Sequence, residues 1–553
     1  MKKFLKKLLC LSLAGILGGS TIALAACAGG GNEEGKVVMS FVAGTNLLPD
    51  EDKVEAAVDA YCQETYGIGV IFKHVNIYDQ ASVYTNWLGA NEEIDIVNLC
   101  FVDPMQYINE KRIRPLTELI DEENAPYLSK TLDSRPDMKL LDKKGTLYGI
   151  GTQEIAPAYS GSMIIFKKSV LEKIGLYGEG EGQYKDYDVV RYEDLDKLFA
   201  AIKSNPETNK TEEGADVYPC PIIASTAPTS AFVAADFMSS GTSSPLAVLE
   251  VEPDGTTEPK VVNYYEMETF KTYINKVSEW NEKGYIHPDA TTTSDTYTTM
   301  LESGRWVSMF ISLAPGLLAS YNADTKMLDE GDEFIPLALT DVPYYTSSTP
   351  LMAMAINSKS KRPEKAMRII DAIFGDEKLV NMLQYGIEGE HWVYAGEAEG
   401  NSIGKEKGYV YLTKNNLDKQ LYTGLPGIYG DKDKVYTFID EGGNLETLIA
   451  ESEASNELTM QIAEEALKNS SIATGFIYDP RKQKARISNI EGSVLAQYVA
   501  TLTTGKGAKG SDGTYTGPGS TYDKFIKALK NAKVDLVIAD KQEQLDEWLA
   551  LKG

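Results

Sequence analysis

Short apolar runs alternate with amphipathic helical stretches from residue 37 onward, and this alternation constrains the fold more than any other feature. The apolar runs at 37–42, 69–75 and 94–99 have the length and apolar character of buried strands. Between them, residues 51–65 and 79–88 carry apolar side chains at helical spacing. Strands that alternate with helices predict an α/β fold built on a parallel sheet. Ligands of such sheets collect at the carboxyl ends of the strands.

Helices later in the chain have clear ends. Residues 363–374 begin with Pro363 and are followed by Gly375, and residues 266–283 are followed by Gly284. Proline at the first position and glycine just past the last are typical helix limits. Further helices are predicted at about 455–468, 482–500, 521–531 and 541–551, around a glycine-rich loop at 505–520. With 553 residues, the chain is long enough for roughly three or four domain-sized units.

The chain is strongly acidic, with 81 aspartates and glutamates against 54 lysines and arginines and a formal net charge of −27. Such a polyanion lacks the basic surface that drives binding to phosphate backbones, which argues against nucleic acid as a partner. The hydrophobic content of 43% is sufficient for a core. The composition therefore predicts a soluble globular protein.

The N-terminal 26 residues have the layout of an export signal, with a basic start, an apolar stretch and a small-residue exit. Glycines within the apolar stretch, and its length near the lower limit for a membrane span, disfavour a transmembrane helix. Residues 24–27, Leu-Ala-Ala-Cys, resemble the bacterial lipobox, in which the cysteine is lipidated and becomes the mature N-terminus. We therefore expect a signal peptide over 1–26 and a lipidated Cys27 with a flexible tether over 27–36. The protein would be anchored on the extracellular face of the bacterial cell membrane.

Cysteines and histidines do not predict a metal site or a cofactor. The three cysteines of the body are an odd number without C-x-x-C spacing, so at most one disulfide can form. The three histidines are far apart in sequence and lack zinc-site spacing. Asp431 and Asp433 match the start of a calcium loop, but the next ligand position is not acidic or amide. We expect no metal and no cofactor.

Several segments follow one another in a recognisable order. They are VVMSFVAGTN, IDIVNLCFVDPMQYINEKRIRPLTELI, LYGIGTQEIAPAYSGSMIIFKKSVLEKIG, the pair WNEKGYIHPDA and MLESGRWVSMFISLAPG, and MAMAINSKSKRPEKAMRIIDAIF. In this order and spacing, together with the lipobox, they resemble the extracellular solute-binding lipoproteins of ABC importers. The resemblance is to the large carbohydrate-type group that is similar to family 1.

The resemblance implies two α/β lobes with a type II periplasmic-binding-protein-like fold, which bind a solute between them by hinge closure. The N-terminal lobe would take 37–152 plus 300–345, and the C-terminal lobe 153–299 plus 346–553. The stretch after about 385 resembles the extended C-terminal region of some large lipoprotein members. The implied function is that of a monomer that captures an oligosaccharide or related neutral solute and delivers it unchanged to the membrane permease subunits of an ABC transporter.

A sugar site combines aromatic rings, which pack on C–H faces, with polar groups that bind hydroxyls. Tyrosine, which offers both, is more than twice as frequent as phenylalanine, 32 against 15. By position after a strand, after a lobe crossing or in a loop, the candidate ligand-binding residues are Thr45, Asn46, Phe101, Asp103, Gln153, Glu154, Tyr159 and Trp392. The alternative for each is an ordinary loop residue, and for Trp392 it is packing in a satellite core. Trp306 lies in a strand-like run, which favours burial over ligand contact.

A surface-anchored glycoside hydrolase is the main alternative, because it also needs aromatic rings together with two carboxylates. With 81 acidic residues, carboxylate pairs will occur by chance. The chain has no G-x-S-x-G motif, and Gly505, Gly507 and Gly510 match dinucleotide-site spacing without the helix that such a site requires. We expect no catalytic residues. A surface adhesion or scaffold protein is a third hypothesis, but it predicts repeats, and the sequence has none of fixed period.

Overall fold

The computed structural model describes residues 35–552 except 45–47, 91, 101, 103, 136–137, 143, 153–158, 239–244, 323–326, 330, 346–351, 425–428, 440–443, 475 and 477. The expected signal peptide, Cys27 and most of the expected tether lie outside the described residues.

The described residues form two compact units, and each unit combines two separate parts of the chain. Unit 1 takes the described residues of Met1–Ile155 and Pro350–Ile449, and unit 2 those of Ala156–Thr349 and Ala450–Gly553. The chain therefore changes unit three times.

The strands, numbered β1 to β17 in chain order, are Val37–Ala43, Val70–Asn76, Ile96–Cys100, Lys139–Leu141, Leu147–Gly151, Tyr159–Ser160, Ser162–Lys167, Ala235–Asp236, Val248–Val251, Thr257–Val262, Ser308–Ser312, Phe334–Ala338, Tyr344–Tyr345, Met352–Ile356, Trp392–Tyr394, Tyr409–Leu412 and Thr437–Phe438. The helices, numbered α1 to α19, are Glu51–Tyr66, Gln80–Ala90, Pro104–Asn109, Leu128–Thr131, Lys168–Lys173, Tyr192–Ser204, Thr229–Phe232, Glu268–Glu282, Tyr297–Glu302, Pro315–Asn322, Pro363–Gly375, Glu377–Tyr385, Ile403–Lys407, Lys414–Lys419, Leu445–Lys468, Lys484–Asn489, Ala496–Thr503, Thr521–Asn531 and Val534–Lys552. None of the helices in the described ranges has both the length and the apolar character that a membrane crossing requires.

Unit 1 is built on a six-stranded mixed sheet in the order β2-β1-β3-β14-β5-β4. β1 pairs in parallel with β2, where Val37 is opposite Val70, and with β3, where Met39 is opposite Ile96. β14 pairs antiparallel with both β3 and β5. All residues of β3 and β14 are buried, as expected when both faces of a sheet are covered. The α/β fold class and the strand–helix order predicted for residues 37–100 are confirmed.

The predicted helix that starts at Pro363 is α11, and its buried apolar residues form the face that packs into unit 1. The predicted end was one residue short, because Gly375 is the last residue of the helix. The next helix, α12, starts immediately afterwards. Its N-cap is Asp376, whose side chain accepts hydrogen bonds from the backbone N–H groups of Lys378 and Leu379.

The described part of unit 2 contains small antiparallel sheets in the orders β11-β7-β12 and β10-β9-β8, and the pair β13-β6. One large hydrophobic core joins the first two sheets to the helices of this unit. The predicted amphipathic helix is α8, and its Trp280 is fully buried with its indole N–H donating to Asp196 Oδ1 at 2.6 Å. Trp306 is also fully buried, as its sequence context predicted.

The last helix of the chain, α19, is held on unit 2 by side chains that bind backbone groups. Lys541 Nζ donates to the carbonyls of Phe237 at 2.5 Å and Ala247 at 2.9 Å. The Gln542 amide accepts from Val261 N at 2.7 Å and donates to Pro259 O at 3.0 Å. Both of its partners lie on β10, which is at the edge of its sheet. The side chain therefore satisfies backbone groups that an edge strand leaves unpaired.

The division of the chain differs from the expected lobes. We expected 300–345 in the N-terminal lobe, but β11 and β12 pair with β7 in unit 2. We expected everything after 346 in the C-terminal lobe, but β14 pairs with β3 and β5, and residues up to Ile449 belong to unit 1. Short apolar strands of similar composition do not specify their partners locally, so the sequence could predict that these strands exist but not which sheet they join.

Candidate functional site

The carboxyl ends of four strands meet at one edge of the unit 1 sheet. β1, β2 and β3 run parallel, and β5 runs in the same direction because both β3 and β5 pair antiparallel with β14. The first residue of β14 also lies there, opposite the last residue of β3. We call this the carboxyl edge, and it is defined by Ala43, Asn76, Cys100, Gly151 and Met352. In sheets of this type, ligands bind at this edge.

A buried hydrogen-bond network joins β1 and β3 to α2, the helix that follows β2. The Tyr84 hydroxyl donates to the carbonyl of Asn98 at 2.6 Å and lies 2.8 Å from Ser40 Oγ, which accepts from Asn98 N. Gln80 donates to the same Asn98 carbonyl at 2.8 Å and accepts from Cys100 N at 3.0 Å. Burial raises the pKa of Tyr84 well above its usual value, so the hydroxyl keeps its proton. Networks of this kind, when fully satisfied, hold strand ends in one position.

Aromatic side chains from the second part of unit 1 pack against β1. Phe41 of β1 stacks on Tyr429 and Tyr422, with 5.8 Å and 6.0 Å between ring centroids. It also stacks on Phe72 of the neighbouring strand β2, with 4.8 Å between centroids. The Tyr429 hydroxyl accepts a hydrogen bond at 3.1 Å from the N–H of Val42, the next-to-last residue of β1. Part of the long region after 385, whose role the sequence did not explain, therefore supports the end of β1.

Thr152 follows β5, and its hydroxyl is not satisfied by any described residue. Its backbone N–H donates to Met352 O at 3.2 Å, whereas its buried hydroxyl has no hydrogen-bond partner in the part of the chain that the structure describes. The side chain is 5% exposed. A buried hydroxyl without a partner costs about 1–3 kcal/mol, and such groups are rare in native proteins. This one directly precedes residues 153–158, which include two predicted site residues.

The turn after β2 completes the edge, and the sequence analysis did not select it. Tyr78 lies in this turn and is 87% exposed, the largest exposure among the large hydrophobic side chains of the described residues. The signal that could have found it is the one used for β1 and β3, namely position directly after a predicted strand. By this criterion the turn after β2 is a candidate in the same way as the segments after β1 and β3.

Known proteins resemble this chain in sequence and in structure. A family model described as a domain of unknown function, DUF3502, matches residues 472–550. A relative from Streptococcus pneumoniae serotype 4, a carbohydrate ABC transporter substrate-binding protein, is 25% identical over 439 residues, which are 79% of this chain and 76% of the relative.

The crystal structure of the N-glycan transport solute binding protein NgtS from Streptococcus pneumoniae matches 94% of this chain and 100% of its own chain, with a TM-score of 0.66 and 22% identity. The chain has the fold of the ABC-importer solute-binding proteins. NgtS has also been solved in complex with Man1GlcNAc, with a TM-score of 0.58 over 93% of this chain, and with Man5GlcNAc, with a TM-score of 0.55 over 94%. Each complex is 21% identical to this chain and is covered over its full length.

Most of the predicted site residues follow strands of this solute-binding fold that end at the carboxyl edge. Thr45 and Asn46 follow β1, Phe101 and Asp103 follow β3, and Gln153 and Glu154 follow β5. These six residues lie outside the described residues, and their contact with a ligand stays a prediction. Tyr159 is in β6, where its backbone is opposite Tyr345, and it belongs to unit 2 and not to the carboxyl edge of unit 1.

Trp392, the remaining predicted site residue, is buried in a small cluster with Tyr385, Tyr394 and Val410. It is 4% exposed, and its indole N–H donates to the carbonyl of Gly386 at 3.1 Å. Its ring meets that of Tyr394 edge to face, with 5.1 Å between centroids. These contacts favour the satellite-core alternative over ligand contact, because the ring is enclosed by the other side chains of this cluster.

Candidate metal ligands are tied to protein groups. Asp431 accepts a hydrogen bond from the Tyr127 hydroxyl at 2.8 Å and forms an ion pair with Arg135 at 3.4 Å. Over the described ranges, no three histidine, cysteine or acidic side chains come together in a way that could hold a metal ion. The thiols of Cys62, Cys100 and Cys220 are buried and are not joined by a disulfide. Burial raises the pKa of Cys62 to about 12, which keeps this thiol protonated and unreactive.

Proposed function

We propose that this chain is the solute-binding component of an ABC importer, and that it captures an oligosaccharide and releases it unchanged to membrane permease subunits. The observation that carries the proposal is the likeness, over 94% of the chain, to a protein that has been solved with bound Man1GlcNAc and Man5GlcNAc. The homology to a carbohydrate substrate-binding protein over 439 residues supports the same ligand class. The working ligand is a neutral glycan of the N-glycan type.

The chemistry of unit 1 supports a polar neutral ligand. The network around Tyr84 fixes β1 and β3 relative to each other near the carboxyl edge. The candidates that follow these strands offer an amide, hydroxyl, carboxylate and aromatic ring, which together suit sugar hydroxyls and C–H faces. The net charge of −27 disfavours an anionic solute.

A panel of glycans tests the ligand class. We expect Man5GlcNAc or another neutral oligosaccharide to raise the melting temperature, because a ligand that binds only the folded state stabilises it by about 2.7 kcal/mol at 100 times its dissociation constant. Peptides of similar mass serve as the competing ligand class. If peptides stabilise the protein and no glycan does, the sugar assignment is wrong.

Asp103 provides a matched pair of variants for the same measurement. Asp103→Asn should weaken glycan binding by about tenfold, because it removes a carboxylate that can accept from sugar hydroxyls. Glu118→Gln is the control, since Glu118 is exposed and follows Leu116, whose N–H donates to Leu147 O at the opposite end of β5. Equal binding by both variants would contradict a role for Asp103.

Attachment to the extracellular face of the membrane through a lipidated Cys27 is part of the proposal, and it rests on the lipobox resemblance. More than one acyl chain is needed for stable anchoring. Cys27→Ser should therefore release the protein into the medium or leave it unprocessed. Unchanged attachment with the leader still present would show that the anchor was misassigned.

A further inference from the structure

The turn after β2 presents the aromatic ring of Tyr78 at the carboxyl edge. The side chain is 87% exposed, whereas the phenol rings beneath the same edge, those of Tyr84 and Tyr429, are buried. A single exposed aromatic side chain is ordinary on a protein surface. The position of Tyr78 makes it a candidate for ligand contact. It lies two residues beyond β2, and the carboxyl end of β2 belongs to the edge where ligands of such sheets bind.

The turn that carries Tyr78 is tied to the sheet by its backbone. The N–H of Ile77 donates to the carbonyl of Ala43, the last residue of β1, at 2.9 Å. The N–H of Tyr78 donates to Asn76 Oδ1 at 3.0 Å, and that of Asp79 to the carbonyl of Asn76 at 3.0 Å. The backbone under the ring is therefore fixed before any ligand arrives, which lowers the entropic cost of a contact through Tyr78.

The order of the strands places Tyr78 at one end of the edge. β2 is the outermost strand, and β1, β3, β14 and β5 follow in that order. With a spacing of about 4.8 Å between neighbouring strands, the ends of β2 and β5 are about 19 Å apart. This distance exceeds the width of a single sugar ring several times. A ligand that used the whole edge would have to be an oligosaccharide, and only one of its terminal rings would reach Tyr78.

We infer that Tyr78 stacks on the outermost ring of an oligosaccharide bound along the carboxyl edge, and that it thereby makes affinity depend on the length of the glycan. This inference rests on the proposed function. Aromatic rings pack well on the C–H face of a sugar, and the Tyr78 hydroxyl can bind a neighbouring hydroxyl or water. A short glycan bound at the β14 and β5 end of the edge, roughly 14–19 Å from β2 at this spacing, would not reach the ring.

Calorimetric titration with Man1GlcNAc and Man5GlcNAc tests the inference. Tyr78→Ala should bind Man5GlcNAc about tenfold more weakly than the wild type and Man1GlcNAc with about the same affinity. Tyr78→Phe keeps the ring and should retain most of the affinity for Man5GlcNAc. Phe438→Ala removes another exposed aromatic side chain of unit 1, from a different sheet, and should behave like the wild type. Unchanged melting temperatures would show that the variants are folded.

The outcomes separate this inference from the proposed function. Wild-type binding that Tyr78→Ala does not change would overturn the stacking role and leave the proposed function standing. Equal loss for both glycans would overturn the distal position of Tyr78. A wild-type protein that binds neither glycan would overturn the inference together with the N-glycan form of the proposed function.

Discussion

Tyr84 shows how much of the carboxyl edge depends on single polar atoms. Its hydroxyl is fully buried and connects two strands, through the carbonyl of Asn98 and the side chain of Ser40. Gln80, in the first turn of α2, adds hydrogen bonds to the Tyr84 hydroxyl and to the backbone of β3. The network therefore fixes the strand ends from which the chain continues to the candidate ligand-binding residues after β1 and β3.

Removal of one hydroxyl tests the network. Tyr84→Phe should lower the free energy of unfolding by about 1–2 kcal/mol, because buried polar groups lose a partner while the ring still fills its place. The measurement is a urea titration followed by circular dichroism. Tyr78→Phe removes an exposed hydroxyl and should change stability by less than about 0.5 kcal/mol. Equal stability of the Tyr84→Phe variant and the wild type would contradict the role given to this network.

At the level of residues, the sequence predicted burial better than exposure. The strand-like context of Trp306 predicted burial, and its side chain is fully buried. Trp392 was selected for its loop-like neighbours, but it is buried in a cluster with Tyr385 and Tyr394. A loop context in sequence cannot show whether a distant segment will cover a side chain. Tyr78 is the opposite case, a side chain that is exposed although the sequence did not predict it. Residues in a turn have no periodic pattern of apolar and polar positions from which exposure could be predicted.

At the level of elements, one carboxylate organises the start of α12. Asp376 Oδ1 accepts from the backbone N–H groups of Lys378 at 2.9 Å and Leu379 at 3.2 Å. Its Oδ2 accepts from the hydroxyls of Tyr61 at 2.8 Å and Tyr66 at 2.5 Å, both on α1. The residue therefore caps one helix and attaches it to another. Burial and this carboxylate together raise the pKa of Tyr61 to about 12.

Asp376→Ala should destabilise the protein by about 2–3 kcal/mol, since it removes an N-cap and leaves two tyrosine hydroxyls without their acceptor. The same variant should lower the pKa of Tyr61, which ultraviolet titration of tyrosine can follow. Asp254→Ala is the control, because Asp254 lies in an exposed turn and its loss should change stability much less than the loss of Asp376. A Tyr61 pKa that does not move would contradict the contribution of the carboxylate.

The attachment of α19 to unit 2 depends on a buried lysine. Burial lowers the pKa of Lys541 to about 7, while Asp236 acts in the opposite direction. The ammonium group also lies 5.1 Å from the centroid of the Tyr478 ring. In an unfolded chain, lysine has a pKa of about 10.4. Between these two values the unfolded state binds more protons than the folded state, so this group makes stability rise with pH.

Replacement of Lys541 by methionine should remove that dependence. Above pH of about 7, the stability of the wild type relative to Lys541→Met should increase by up to about 1.4 kcal/mol per pH unit. Urea midpoints at several pH values between neutrality and the pKa of free lysine measure the difference. Lys527→Met, at an exposed position on α18, should follow the wild-type slope. Parallel curves for the wild type and Lys541→Met would contradict the titration assigned to Lys541.

Helices and strands were also the level at which the sequence predicted most. The predicted helix at 521–531 is α18, and the first three strands and two helices agree with β1 to β3 and with α1 and α2 to within two residues. These elements are encoded by local periodicity and by end signals such as Pro363. The predicted helix at 482–500 is interrupted by a π-helical turn at Ile490–Leu495, which no local pattern indicates.

At the level of the whole molecule, the fold was predicted and the division of the chain was not. The order of segments was enough to identify the solute-binding fold, which the structural matches support over more than nine-tenths of the chain. The assignment of 300–345 and 346–449 to units failed, because the partners of β11, β12 and β14 are set by contacts far away in sequence. Most of the predicted site residues stay predictions for a different reason, since they follow the strands and lie outside the described residues.

We propose above all that this chain binds an oligosaccharide and releases it chemically unchanged. The most direct test is to titrate the purified protein with Man5GlcNAc in a calorimeter, recover the glycan and determine its mass. We predict saturable binding of one glycan per chain and a recovered ligand of unchanged mass. The absence of binding to any neutral glycan, or the recovery of shortened products, would contradict the account.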